Sequence, residues 1–185
     1  MPMPKFIRYF IAVPASLIVG STAGIFSPVL SEFTPSAMSV AQTPLRRYQP
    51  LTAATCNQLK QAMSKVLNVK VTMTQATFQD YLQQGRGTAC QLTATGNGRN
   101  FRNLDIISTL STMLTKQGWV RLSNYDADGP TGGARWFRKG NSLAWFSSEW
   151  EPSADAKCAK DMPISECKLS PEQELYRITL QAARR

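Results

Sequence analysis

"VKVTMTQATF", residues 69–78, and "ACQLTATG", residues 89–96, decide the fold. In the first, Val69, Val71 and Met73 alternate with Lys70, Thr72 and Thr74. In the second, Cys90, Leu92 and Ala94 alternate with Gln91, Thr93 and Thr95. Period-two alternation is the signature of a strand with one face buried, because successive side chains leave a strand on opposite sides. The glycine-containing connector "QQGRG" is too short for a crossover helix, so the two strands pair as an antiparallel hairpin.

On either side of the hairpin the period changes. Before it, Cys56, Leu59, Met63, Val66 and Leu67 recur at helical spacing, and Thr55 with Gln58 three residues later has the pattern of a capping box. After it, Leu104, Ile107, Leu110 and Leu114 form a second apolar stripe, with Asn103 as the expected cap and Gly118 as the stop. Strands are expected over 119–125, 134–139 and 143–150, the last two joined by the tight turn "KGN". "SPEQEL" suggests one capped helical turn, and Tyr176, Ile178 and Leu180 suggest a closing strand. The order α-β-β-α-β-β-β-β predicts an α+β domain: a mostly antiparallel sheet with two main helices on one face, stabilised by disulfides.

The domain is expected over residues 55–185, with no internal repeat, preceded by a linker over 42–54 that carries two prolines and no periodicity. Residues 1–41 are different material. Lys5 and Arg8 form a basic head, and the 22 residues from Tyr9 to Leu30 carry no charge. This is the pattern of an export signal. Ser39-Val40-Ala41 offers small residues at the −3 and −1 positions of a signal-peptidase site, and Ser21-Thr22-Ala23 is an earlier one. An uncleaved anchor is the alternative, since 22 apolar residues can span a bilayer, although Pro14, Gly20, Gly24 and Pro28 weaken the run as a helix. In either case the positive-inside rule leaves the domain outside the cytoplasm, periplasmic or extracellular.

Four cysteines follow the export segment, and an even count in an exported chain reads as a disulfide framework. A helix antiparallel to the first hairpin strand starts where the second hairpin strand also starts. Four cysteines allow three pairings, and buried free thiols are the alternative; this placement favours Cys56–Cys90, which leaves Cys158–Cys167 to close the small polar loop "CAKDMPISEC". The ligand spacing of zinc knuckles is missing. The chain carries 21 basic and 12 acidic residues, a net +9; removing Lys5, Arg8 and Glu32 with the export segment leaves 19 and 11, a net +8. Such a balance favours anionic neighbours such as lipid headgroups or acidic polysaccharide, and an envelope protein is the other partner considered. Export makes nucleic acid an unexpected partner, and membrane contact would run through residues 9–30 if they stay attached.

With no histidine in the chain, Ser-His-Asp triads, Cys-His dyads and histidine-ligated metal sites are excluded. "GNGRNFRN", residues 96–103, has two glycines of a dinucleotide fingerprint but Phe101 in place of the third, and hairpin strands around it. What remains there is an anion contact at Arg99, Arg102 and Asn103 near a helix start. Trp119, Trp136, Trp145 and Trp150 interleave with Arg121, Arg135 and Arg138, a mixture suited to stacking and to phosphate or carboxylate contacts. Glu149 and Glu151 share a strand face about 7 Å apart by strand rise. With Asp126 and Asp128 they are the carboxylates a small glycan hydrolase would use.

"NYDADGPTGGAR", residues 124–135, starts like a calcium loop, with Asn124, Asp126 and Asp128 at alternate positions before Gly129. Position 12 of that register is Arg135, where a bidentate glutamate is required, so the stretch reads better as a glycine-rich inter-strand loop. No cofactor is expected.

"SVAQ", "YDADGPTGGARWFRKGN" and "PISECKLSPEQELY" together resemble small exported cyanobacterial proteins without an assigned activity, over roughly residues 50–182. The resemblance implies a periplasmic or cell-surface location and carries no site. The expectation is a non-enzymatic envelope domain that binds an anionic component or a partner protein. The alternatives are a carboxylate-based envelope hydrolase and a membrane-anchored structural domain.

Overall fold

A computed structural model describes residues 47–185 apart from 82, 102, 103 and 159–161. The expected export segment, its expected cleavage sites and the start of the expected linker lie outside the described residues. The elements are β1 (Arg47–Pro50), α1 (Ala53–Leu67), β2 (Val71–Asp80), β3 (Gly85–Asn97), α2 (Gly98–Phe101), α3 (Ile106–Lys116), β4 (Val120–Arg121), β5 (Ala127–Gly129), β6 (Gly132–Lys139), β7 (Ser142–Pro152) and β8 (Glu174–Arg184). They build one sheet in the order β2-β3-β1-β8-β7-β6-β4, with β5 also on β6 and a direct β3–β8 pairing. Every pairing except β1–β3 is antiparallel. This is the expected α+β class. No helix of the described residues is long and apolar enough to cross a membrane.

The alternation read from the hairpin sets the core. Leu92 and Ala94 of β3 lie beside Leu180 and Ile178 of β8, and Phe146 and Phe137 continue the same face. Against it pack the apolar stripes of the helices, Leu59, Met63 and Leu67 of α1 and Leu110 and Leu114 of α3. α3 ends in a Schellman motif: Trp119 N donates to Leu114 O (3.1 Å), Gly118 N donates to Thr115 O (2.9 Å), and Gly118 takes φ +82°. Cys56 is bonded to Cys90 (Cα–Cα 6.2 Å), tying the start of α1 to β3, and Cys158 to Cys167 (5.5 Å). Both pairings follow the expected connectivity. Two disulfides belong to a protein matured in an oxidising, non-cytoplasmic compartment.

Several local expectations differ. Residues 47–50 of the expected linker form a strand, because Tyr48 is buried and its hydroxyl donates to Asp80 Oδ2 at 2.6 Å. A four-residue strand with one inward side chain offers no periodicity to read. α1 is capped by Thr52, whose Oγ1 accepts from Thr55 N, and α3 by Asp105, whose carboxylate accepts from Ser108 N at 3.0 Å. The strand expected over 119–125 stops after Arg121, gives way to a 3-10 turn over Ser123–Tyr125, and resumes on β6 as β5. Ser123 and Asn124 compete with the ladder through turn conformations. "SPEQ" makes a hydrogen-bonded turn rather than helix, with Ser170 N donating to Gln173 Oε1 at 3.1 Å.

The sheet is rolled. β2 and β6 are separated by β3, β8 and β7, which in a flat sheet puts them about 19 Å apart. The rings of Phe78 on β2 and Trp136 on β6 nevertheless stand 6.4 Å apart, on the face away from the helices. A second apolar cluster, Tyr48, Phe78, Ala89, Leu143 and Ala183, fills one end of the resulting hollow.

Candidate functional site

α3 has two working sides. Its apolar stripe faces the core, and Ser108, Ser111, Thr112 and Thr115 form a hydroxyl stripe on another side at helical spacing. Across from these hydroxyls stand Arg121 of β4 and Arg135 of β6. Between them lies an open cleft of about 620 Å³, with Asp105 and Lys116 at the two ends of the helix. Three cations and one carboxylate line it, and the Asp105 carboxylate is engaged in capping α3.

Arg135 occupies an inward position of β6, two residues from the core residue Phe137, and is only 8% exposed. A buried guanidinium is tolerated only when its donors are matched. Nη1 donates to Ala127 O (3.0 Å) and Ala134 O (2.9 Å), and Nη2 donates to Asp128 Oδ1 (2.7 Å). Nε has no hydrogen-bond partner; Asp126 Oδ2 lies 4.0 Å away. That oxygen is taken by Arg121, whose Nε and Nη2 reach it at 2.9 and 2.6 Å. Ser111 Oγ and Asp126 Oδ1 are also buried without a partner. An unmatched buried donor costs roughly 1–3 kcal/mol, so Arg135 Nε calls for an acceptor, while Asp126 Oδ1 calls for a donor.

The calcium-like loop now has an explanation in its own side chains. Asp126 and Asp128 hold the guanidinium groups of Arg121 and Arg135, and Asn124 sits exposed in the 3-10 turn. Among the described residues no group of three His, Cys, Asp or Glu side chains is placed to hold a metal ion. The four carboxylates considered for hydrolysis are not brought together. Asp128 pairs across to Gly133, which pairs to Ser148 on the helix side of the sheet. Glu149 and Glu151 leave β7 on the opposite side, in a separate hollow with Thr131, Trp150, Leu175 and Arg177.

Arg99 is exposed and ion-paired with Glu172, and α2 is only four residues long. Arg102 and Asn103 lie outside the described residues. Of the tryptophans, Trp119 is core, and Trp136, Trp145 and Trp150 are half-buried.

Sequence reasoning missed Ser111 and Lys116 as site residues and did not single out Arg121 and Arg135 as a pair. Two signals were available: the Ser/Thr spacing opposite the leucine stripe of α3, and the parity that turns Arg135 inward with Phe137. Compared with protein-family models, with curated proteins and with solved structures, the chain finds no match.

Proposed function

We propose that the chain is an exported, non-enzymatic envelope domain that binds an anionic component in the cleft between α3 and the β4–β6 edge. The observation that carries this reading is Arg135: a buried guanidinium with Nε unmatched, lining a hydroxyl-rich cleft beside Arg121 and Lys116. An oxyanion is suited to that cleft, since it accepts from guanidinium, ammonium and hydroxyl donors alike. The basic head and uncharged run of residues 1–30, the two disulfides and the net +9 support a place outside the cytoplasm among anionic neighbours. The hydroxyls of the cleft have no histidine or free thiol to activate them, which favours binding over turnover.

The test is calorimetric titration of the oxidised protein with inorganic phosphate and with a polyuronate at low ionic strength. Lys116→Ala/Arg121→Ala should weaken binding at least about tenfold. Arg99→Ala, on an exposed pair elsewhere, should leave it unchanged, and binding should fall with added salt. Equal affinity in the Lys116/Arg121 variant would refute the assignment.

A further inference from the structure

The register of the sheet brings together, on the face away from the helices, a strip that the anionic cleft does not use. One row across the sheet is Thr74, Gln91, Gln181, Trp145 and Trp136. The next row is Thr72, Thr93, Thr179, Ser147 and Ala134. No residue of either row is charged, in a chain whose composition is 18% charged. The charges resume in the neighbouring rows: Arg177 and Glu149 stand opposite each other on one side, and the exposed Arg138 pairs with Leu143 on the other.

This strip lies inside the roll of the sheet. Both helices pack on the other side, yet Gln181 and Ser147 are each only 8% exposed, because the curvature that brings Phe78 to 6.4 Å from Trp136 encloses them. Gln181 Nε2 donates to Gln91 Oε1 at 2.7 Å, which fixes the two amides and leaves their other donor and acceptor positions directed by that bond. At one end the strip meets Trp136 and Trp145, whose rings lie 6.1 Å apart at 32° and are half-buried against the second apolar cluster. The hollow thus combines hydroxyls, oriented amides and aromatic surface, with no charge in its two rows and an apolar cluster at one end, edged by Arg138.

We propose that this hollow is a second binding site, for a neutral polyhydroxylated chain, a glycan segment. Neutrality is the discriminating feature. An anionic ligand is drawn to the cleft beside α3, where cations line the walls, and gains nothing here. An apolar ligand would leave the Gln and Thr groups of both rows desolvated without partners. A sugar chain satisfies them with hydroxyls that both donate and accept, and lays its C–H faces on the indole surface. The site stands on the sheet register and does not depend on the anion reading.

The test uses the oxidised full-length protein and its tryptophan fluorescence, titrated with neutral oligosaccharides of six or more residues in gluco, manno and galacto series. At least one series should give a saturable shift. Gln181→Leu and, at a half-buried position, Thr179→Val should each weaken it by about tenfold, the scale of one lost polar contact. Trp145→Phe should remove most of the signal, and Lys116→Ala/Arg121→Ala should leave it intact. No saturable response in any series up to 10 mM would overturn the proposal, as would a response that both Gln181→Leu and Thr179→Val leave unchanged. Shielding of the same tryptophans from acrylamide on raising protein concentration, without a sugar response, would assign the hollow to a second copy of the chain instead.

Discussion

Cys56→Ala/Cys90→Ala and Cys158→Ala/Cys167→Ala remove one disulfide each, and the structure makes their costs different. The first bond closes a loop of sequence separation 34, the second one of 9. Cross-linking lowers the entropy of the unfolded chain with the logarithm of loop length, which gives about 3.8 kcal/mol for the first and about 2.6 kcal/mol for the second. Burial widens the gap. Cys56 and Cys90 are 4% and 3% exposed within the main core, so their loss also leaves a small cavity, adding about 1 kcal/mol. Cys158 and Cys167 are half-buried in the loop between β7 and β8 and leave none. The totals are about 5 and 2–3 kcal/mol, or melting-temperature losses of roughly 15–20 °C and 8–12 °C for a domain of this size. Calorimetry and urea unfolding of the two double variants measure this directly. The urea m value should rise more for the first pair, because its unfolded chain expands more. An equal or larger loss for the Cys158–Cys167 pair would refute the argument from loop length and burial.

Gly87→Ala should destabilise by about 2–3 kcal/mol, because a Cβ there overlaps the carbonyl of Tyr48 and pushes β1 off β3; an unchanged urea midpoint would contradict it. Asp105→Ala removes the α3 cap and should cost about 1 kcal/mol, with Asp105→Ser restoring most of it in the same assay. Burial first, and then the hydrogen bond to Asp80, push the Tyr48 phenol above its ordinary value; burial first, and then Glu174, raise Tyr176 likewise. Raised folded-state values mean that stability is intact below about pH 10 and is lost as the pH climbs past it, since the unfolded phenols ionise first. Urea midpoints should therefore fall between pH 9 and 11, and less steeply in Tyr48→Phe; an identical slope in that variant would contradict the assignment.

The main sheet was legible because Leu92, Ala94, Ile178 and Leu180 keep strict alternation, and the helices because their stripes are long. The Cys56–Cys90 bond followed from that topology, and Cys158–Cys167 was the pair that remained, nine residues apart in sequence. β1 was hidden because only Tyr48 of its four residues turns inward, and what holds it is Asp80, 32 residues away. The roll of the sheet was not legible at all, since no single residue encodes the approach of Phe78 to Trp136. The candidate site was half visible. Asp126 and Asp128 stood out as a metal-like pair, but their partners Arg121 and Arg135 are set by a β4–β6 edge that a 3-10 turn interrupts. The Arg135 that spoils position 12 of a calcium loop is the residue around which the cleft is organised.

The central claim is that an anion in the cleft is held at the unmatched, buried Nε of Arg135. The most direct measurement is the ¹⁵N-edited NMR spectrum of the arginine Nε–H groups during titration with inorganic phosphate. The account expects one buried, slowly exchanging Nε–H, removed by Arg135→Lys, to shift saturably, and the shift to weaken in Ser111→Ala. A spectrum in which that resonance stays fixed while exposed arginines such as Arg99 move would contradict it.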